Sequence, residues 1–243
     1  MALEEQAFKY RSLDEWFNTP QGARIGLAFA AELNEICEQI SGTTLLQLGN
    51  CGDNSWLPAF KFRHKWIITP YIDYKKSSII SSVNHLPIER DSIECLIAPL
   101  TLEAFRGDKN PLDEMDRIIK PMGYIIFLGI NPWSFWGASL KWGHLHCFAH
   151  GSISLVSSFT IKRAMLNRGY QQCSHNSFYY VPPVKHHRFI QALEFMNAMG
   201  KMIWPFPAGF YCLIMQKYQY CSPDLLIKSE GELVLQGKSS LAT

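Results

Sequence analysis

The residues best placed to do chemistry fall in three short stretches. The first, "LLQLGNCG" (45–52), reads as a buried strand opening into a loop that holds Gly49 and Gly52. Such a loop leaves the backbone amides of Gly49, Asn50, Cys51 and Gly52 open to the polar groups of a nucleotide-like ligand. The second, "GINPWSFWG" (129–137), follows another apolar strand and should stand at the rim of the same crevice. There Asn131 can hold a substrate or close an Asn-Pro turn. Trp133 and Trp136 can wall a pocket, face a cation or pack a cap. In the third, "WGHLHCFAH", His144, His146 and His150 stand close together, and "VKHHRF" adds His186 and His187. His144 or His146 can serve as a base near neutral pH. No acid or cysteine stands at a matching spacing, so no metal site is expected. Glu103 can meet a substrate or cap the segment that follows it.

These groups need a scaffold, and the composition allows one. The chain has 243 residues, 47% hydrophobic and 18% charged, with a net charge of +2. That suffices for one sizeable core, and bulk charge gives no argument for a nucleic-acid partner. The seven cysteines (Cys37, Cys51, Cys95, Cys147, Cys173, Cys212 and Cys221) are dispersed and form no CxxC pair. They read as free thiols in a reducing compartment rather than as a disulfide framework or zinc site. The N-terminus lacks the apolar stretch of a signal peptide. No apolar run nears the ~20 residues needed to span a bilayer, so the cytoplasm is the expected location.

The scaffold itself reads as alternating helices and strands. A helical entry segment is broken at Pro20 and Gly22, and a second helix carries Ile25, Leu27, Phe29, Leu33, Ile36 and Ile40 on its apolar face. Strands are expected at "TTLLQL" (43–48), "KWIIT" (65–69), "SSIISSV" (77–83) and "IECLIAPL" (93–100). A helix starting at Pro111 is expected to stop at "KPMG", before the strand "YIIFLGI" (124–130). Beyond it the pattern gives a helix from Ser152 or Ser154 to Gly169 and a strand at "SFYYVPP". A helix at "FIQALEFMNAMG" and a last strand at "AGFYCLIMQKY" follow. "KMIWPFPAGFY" (201–211) reads as a hairpin over a sheet edge, or as a lid or partner contact. The entry segment around Trp16 and Phe17 either folds over the crevice or packs outside it. Short apolar strands alternating with helices imply an α/β fold with a parallel sheet covered on both faces. The expected divisions are a helical segment at 1–43, the main domain at 44–220 and a polar, frayed tail at 221–243.

In order, "LLQLGNCG", "NHLPI", "DSIECLIAPLTLEAF" and "DEMDRIIKPMGYIIFLGINPWSFWG" resemble the class I S-adenosylmethionine-dependent methyltransferases. The likeness is nearest to the bacterial methyltransferase type 11-like proteins. "NPWSFWG", "WFNTPQG" near the N-terminus and "YVPP" (180–183) resemble one branch of them. The resemblance runs from about Trp16 to Tyr218. It implies a Rossmann-like, mostly parallel seven-stranded sheet with an antiparallel last strand, and S-adenosylmethionine as cofactor. It also implies methyl transfer to an acceptor that the sequence does not identify. It puts Gly49, Asn50, Cys51 and Gly52 at the cofactor's methionine part, and Ser82, Asn84 and Leu86 near the adenine. Asn131, Trp133 and Trp136 would line the substrate pocket. Several positions depart from the pattern. Gln47 stands where Asp or Glu is usual, and Thr69, Pro70 and Tyr71 offer no ribose-binding acid. The nearest acid there is Asp73. Ser82 replaces the Asp before "LPI", and Leu100 stands where a His is common. Two readings follow: a working methyltransferase, or a catalytically inactive relative that keeps the fold as a binding or regulatory module.

Overall fold

The computed structural model describes residues 3–73, 77–104, 110–143, 154–183, 195–200 and 207–218. Two helices, α1 (Leu3–Phe17) and α2 (Pro20–Cys37), lead into the sheet. The break between them is sharp because Thr19 caps α2, its hydroxyl accepting from the Gly22 amide at 3.2 Å, with Pro20 in the first turn. A Cβ on Gly22 would lie 2.2 Å from the Trp16 carbonyl oxygen. Only glycine lets the two helices meet so closely.

The strands are β1 (Ser41–Leu48), β2 (Lys61–Thr69), β3 (Ile79–Ile80), β4 (Ile93–Pro99), β5 (Ile119–Ile130), β6 (Tyr170–Phe178) and β7 (Phe210–Lys217). They form one sheet in the order β3-β2-β1-β4-β5-β7-β6. The first five strands run parallel, and β7 lies antiparallel between β5 and β6. The winding direction reverses between β1 and β4, which opens a crevice beyond their carboxyl ends. Among the described residues there are also the short helices α3 (Thr101–Ala104), α4 (Pro111–Ile118), α5 (Phe135–Lys141), α6 (Ser158–Leu166) and α7 (Phe195–Gly200). The central strands carry the fully buried residues Leu45, Leu46, Cys95, Leu96, Ile97, Ile125 and Ile126, as expected of a sheet covered on both faces.

Several boundaries differ from the expectation. Helix α6 begins at Ser158, where the Ser157 hydroxyl accepts from the Thr160 amide, and not at Ser152 or Ser154. "KPMG" is not a stop but part of β5: α4 ends at Ile118, and Ile119 already pairs with Ile93. Lys217 fixes that junction by donating to the carbonyls of Asp116 and Ile119 at 2.8 and 3.0 Å. Strand β6 lies ahead of "YYVPP", ending where Tyr179 turns to φ 62°. Strand β3 shrinks to two residues. Residues 189–194 and 201–206, and the tail from 219 onward, lie outside the described residues.

Candidate functional site

The loop after β1 sits at the carboxyl edge of the sheet, beside the turn from β4 into α3. Gly49 and Gly52 take φ values of 90° and 64°, so the loop has a course that side chains resist. The Gly49 amide donates to the Ile68 carbonyl at 2.7 Å, and Thr101 Oγ1 donates to the Leu48 carbonyl at 3.1 Å. The loop is thus fastened to β2 on one side and to α3 on the other.

Gln47, at the position where an acid is usual, organises the loop from below. It is fully buried. Its Nε2 donates to the Gly49 carbonyl at 2.9 Å and to Asn54 Oδ1 at 2.6 Å, while Oε1 accepts from Trp56 Nε1 at 2.8 Å. Asn54 in turn accepts from the Cys51 amide and donates to Asn50 Oδ1. Asn50 Nδ2 donates to Asp73 Oδ2 at 3.2 Å. The carboxylate that looks misplaced in the sequence is therefore brought back to the residue next to Gly49.

From above, the crevice is met by a single face of α1. Gln6, Tyr10 and Asp14 stand four residues apart and so share one side of the helix. Gln6 Oε1 accepts from Ser82 Oγ at 2.8 Å. The Tyr10 ring is fully buried against Gly49: a Cβ there would lie 2.6 Å from Tyr10 Cε1. Asp14 Oδ1 accepts from the Gly52 amide at 2.9 Å, and Oδ2 accepts from the Tyr71 hydroxyl at 3.3 Å. Three of the residues expected to hold a cofactor thus have α1 side chains as partners. Gln6 Nε2 on α1 and Asn84 Oδ1 on the loop after Ser82 are buried and find no hydrogen-bond partner among the described residues. A cleft of about 270 Å³ opens on the outer side of the loop, between Cys51, Asp53 and Ser55 and the start of α2.

Glu103 lies deeper, on α3, fully enclosed next to Tyr10 and Tyr211. Its Oε1 accepts from the Ile130 amide at 3.0 Å. Burial pushes its carboxyl up to about 7, despite the opposing pull of that amide. The sign follows directly. Between about 4.5 and 7 the unfolded chain releases a proton that the folded one keeps, so stability falls across that window as pH rises. Urea melts of the wild type should lose on the order of 2–3 kcal/mol from pH 4.5 to 7.5 through this group. Glu103→Gln should flatten the slope, and an unaltered slope would show that Glu103 ionises freely.

The "NHLPI" loop is held by α4. Glu114 Oε1 accepts from the Leu86 amide at 2.9 Å, and Arg117 donates to the carbonyls of Leu86 and Ile88 at 2.9 and 2.8 Å. The two side chains also pair at 2.7 Å, and the Arg117 guanidinium holds the Glu114 carboxyl below its usual range. The Glu-x-x-Arg spacing therefore clamps the loop that carries Asn84 and Leu86. Arg117→Met should cost about 1–3 kcal/mol by orphaning that carboxylate and two carbonyls. The loss should shrink as pH falls and Glu114 takes up a proton, which chemical melts at pH 7 and pH 4 would check.

The three branch-like motifs meet at one indole. Trp136 is buried, 6.1 Å edge-on from Trp16 of "WFNTPQG", and its Nε1 donates to the Val181 carbonyl of "YVPP" at 2.8 Å. Asn131 spends its side chain locally, Oδ1 accepting from the Trp133 amide at 3.1 Å in an Asn-Pro turn. Trp133 is 82% exposed, with the Lys141 ammonium 5.9 Å from its ring centre. The structure thus brings Gly49, Asn50, Cys51, Gly52 and Ser82 to one crevice under α1. It packs Trp136 in the interior and leaves Trp133 in solvent. His144, His146 and His150, with His186 and His187, lie outside the described residues. Among those described, no cluster of His, Cys, Asp or Glu is arranged to hold a metal ion. Sequence reasoning missed Gln6, Tyr10, Asp14, Asn54 and Trp56. The one available signal was the four-residue spacing of Gln6, Tyr10 and Asp14.

No protein-family model matches the sequence, and no curated protein matches it either. Solved structures do. An S-adenosylmethionine-dependent methyltransferase from Thermotoga maritima has a TM-score of 0.58 at 16% identity, covering 86% of this chain and 98% of its own. A Haloferax volcanii methyltransferase solved in complex with the Trm112 activator gives 0.53 at 17% identity, covering 80% and 96%. Geranyl diphosphate C-methyltransferase from Streptomyces coelicolor gives 0.51 at 14%, covering 77% and 76%. At such identities the likeness speaks for architecture. The chain adopts the Rossmann-like class I methyltransferase fold, with a mostly parallel seven-stranded sheet and an antiparallel last strand.

Proposed function

We propose that the protein is an S-adenosylmethionine-dependent methyltransferase of the type 11-like kind, in the branch marked by "NPWSFWG", acting on an unidentified acceptor. The observation that carries this reading is the convergence on one crevice of the Gly49–Gly52 loop, the Ser82–Leu86 loop and the returned carboxylate of Asp73. Gly49, Asn50, Cys51 and Gly52 would receive the methionine part. Asp73, beside Asn50, would supply the ribose acid that Thr69 cannot. Ser82, Asn84 and Leu86 would border the adenine, and the unpartnered Asn84 Oδ1 suits a donor on that ring. When bound, the cofactor supplies an electrophilic methyl group on a cationic sulfur, so the protein has to position the partners and exclude water. The dispersed free thiols of Cys37, Cys51, Cys95, Cys173 and Cys212 fit work in the cytoplasm. No described helix is long and apolar enough to cross a membrane.

A second reading, a catalytically inactive binding module, is favoured by the α1 face that already fills the cradle. Calorimetric titration with S-adenosylhomocysteine separates the two. Saturable binding is expected, in the micromolar range once Tyr10 is reduced to Ala. Absence of heat at millimolar ligand, in the wild type and in Tyr10→Ala alike, would leave only the inactive reading.

A further inference from the structure

The α1 face does more than roof the crevice; it takes up the ligand's own contacts. A carboxylate, that of Asp14, sits on the Gly52 amide, where the methionine carboxylate of the cofactor would be at home. A flat ring, that of Tyr10, lies in the space that Gly49 keeps clear by lacking a Cβ. Gln6 takes the Ser82 hydroxyl with its oxygen and leaves its own nitrogen buried and unsatisfied. A seam with an orphaned polar atom at Gln6 is less than optimal, since water would satisfy it if the helix lifted.

The two halves of α1 are anchored differently, although Gln6, Lys9 and Tyr10 are buried in the first as Leu13 and Phe17 are in the second. Its C-terminal half is pinned by Leu13, by Phe17 against Phe29, and by Trp16 against Trp136. Its N-terminal half exposes Phe8, and Glu5 pairs with Lys9 within the helix rather than with the sheet. What holds this half to the crevice is the buried side of the helix, so lifting it has to break the Gln6–Ser82 bond and uncover the Tyr10 ring.

We infer that α1 is a built-in competitor of the ligand, whose Gln6–Tyr10–Asp14 face must leave the crevice before a nucleoside ligand can seat there. This rests on the methyltransferase reading above. The competition lowers apparent affinity by the fraction of molecules with the helix lifted, without weakening any ligand contact. Removing the plug then tightens binding although no contact to the ligand is added.

The test pairs S-adenosylhomocysteine titrations of wild type and Tyr10→Ala with hydrogen exchange on the wild type. Tyr10→Ala should bind at least about tenfold more tightly. Saturating ligand should speed amide exchange across residues 3–10 while leaving β4 and β5 unchanged. Equal or weaker binding by Tyr10→Ala, or slower exchange in α1 on ligand addition, would overturn the competition and make α1 a wall of the ligand's pocket. Binding by the variant alone would support it most strongly. Failure of both proteins to bind would remove the ligand, and the competition with it. Should Tyr10→Ala fail to fold, the exchange arm on the wild type decides alone.

Discussion

Gly49→Val should be among the most damaging single substitutions in this protein, costing about 2–5 kcal/mol of stability. Two independent terms add. A φ of 90° lies where L-residues rarely go, costing roughly 1–2 kcal/mol, and a β-branched side chain fares worse than most. The new Cβ would also lie 2.6 and 2.8 Å from two carbons of the Tyr10 ring, and overpacking of that kind costs about 1–3 kcal/mol. Against a typical reserve of about 5–15 kcal/mol this is a large share. For a chain of this length, thermal melts should shift down by roughly 4–20 °C. The second term belongs to Tyr10 and the first does not. A double-mutant cycle with Tyr10→Ala should therefore return about 1–3 kcal/mol and no more. Strict additivity would mean that Tyr10 does not rest on Gly49, and the proposed competition would lose its basis.

The central sheet was legible because its strands are apolar from end to end. "IECLIAPL" and "YIIFLGI" can bury both faces only in the middle of a parallel sheet, and β4 and β5 lie there. The loop was legible through Gly49 and Gly52, the break between the first two helices through Pro20, and the start of α4 through Pro111, whereas Gly22 lies inside α2 and breaks nothing. What faces the loop was not. Tyr10 reaches Gly49, and Asp14 reaches Gly52 and Tyr71, across dozens of residues, and no local periodicity reports such a contact. Asp73 stood in the sequence only as the nearest acid after β2, because spacing along the chain does not report the turn that returns it to Asn50. Helix α6 starts later than its pattern suggested because several serines compete as caps, and Ser157 holds the position. Nothing in the spacing of Trp16, Trp136 and Val181 along the chain signals that they meet.

The second large effect concerns Gln47. Replacing it by Leu removes a side chain that satisfies three buried partners: the Trp56 indole N–H, the Gly49 carbonyl and Asn54. Asn54 Oδ1 keeps the Cys51 amide, so at about 1–3 kcal/mol for each of the two groups left unpaired, the indole N–H and the Gly49 carbonyl, Gln47→Leu should cost roughly 2–6 kcal/mol. Gln47→Glu is more informative, because it restores the residue type usual in the resembling proteins. Two of the three partners, the Gly49 carbonyl and Asn54 Oδ1, are acceptors, and an ionised carboxylate has no proton to offer them. The folded state therefore favours the protonated acid and raises its pKa above the unfolded value of about 4.3. Stability should be greatest below that value, decline as pH rises toward the folded pKa, and stay low beyond it, at about 1.4 kcal/mol per unit of displacement. Urea melts of Gln47→Glu from pH 4 to 8 should show this decline, while wild type and Gln47→Leu share a common slope. A variant whose slope matches that of the wild type would mean that Asn54 can turn its amide to meet the carboxylate. The loop would then accept the acid, and its absence here would be no barrier to a ligand.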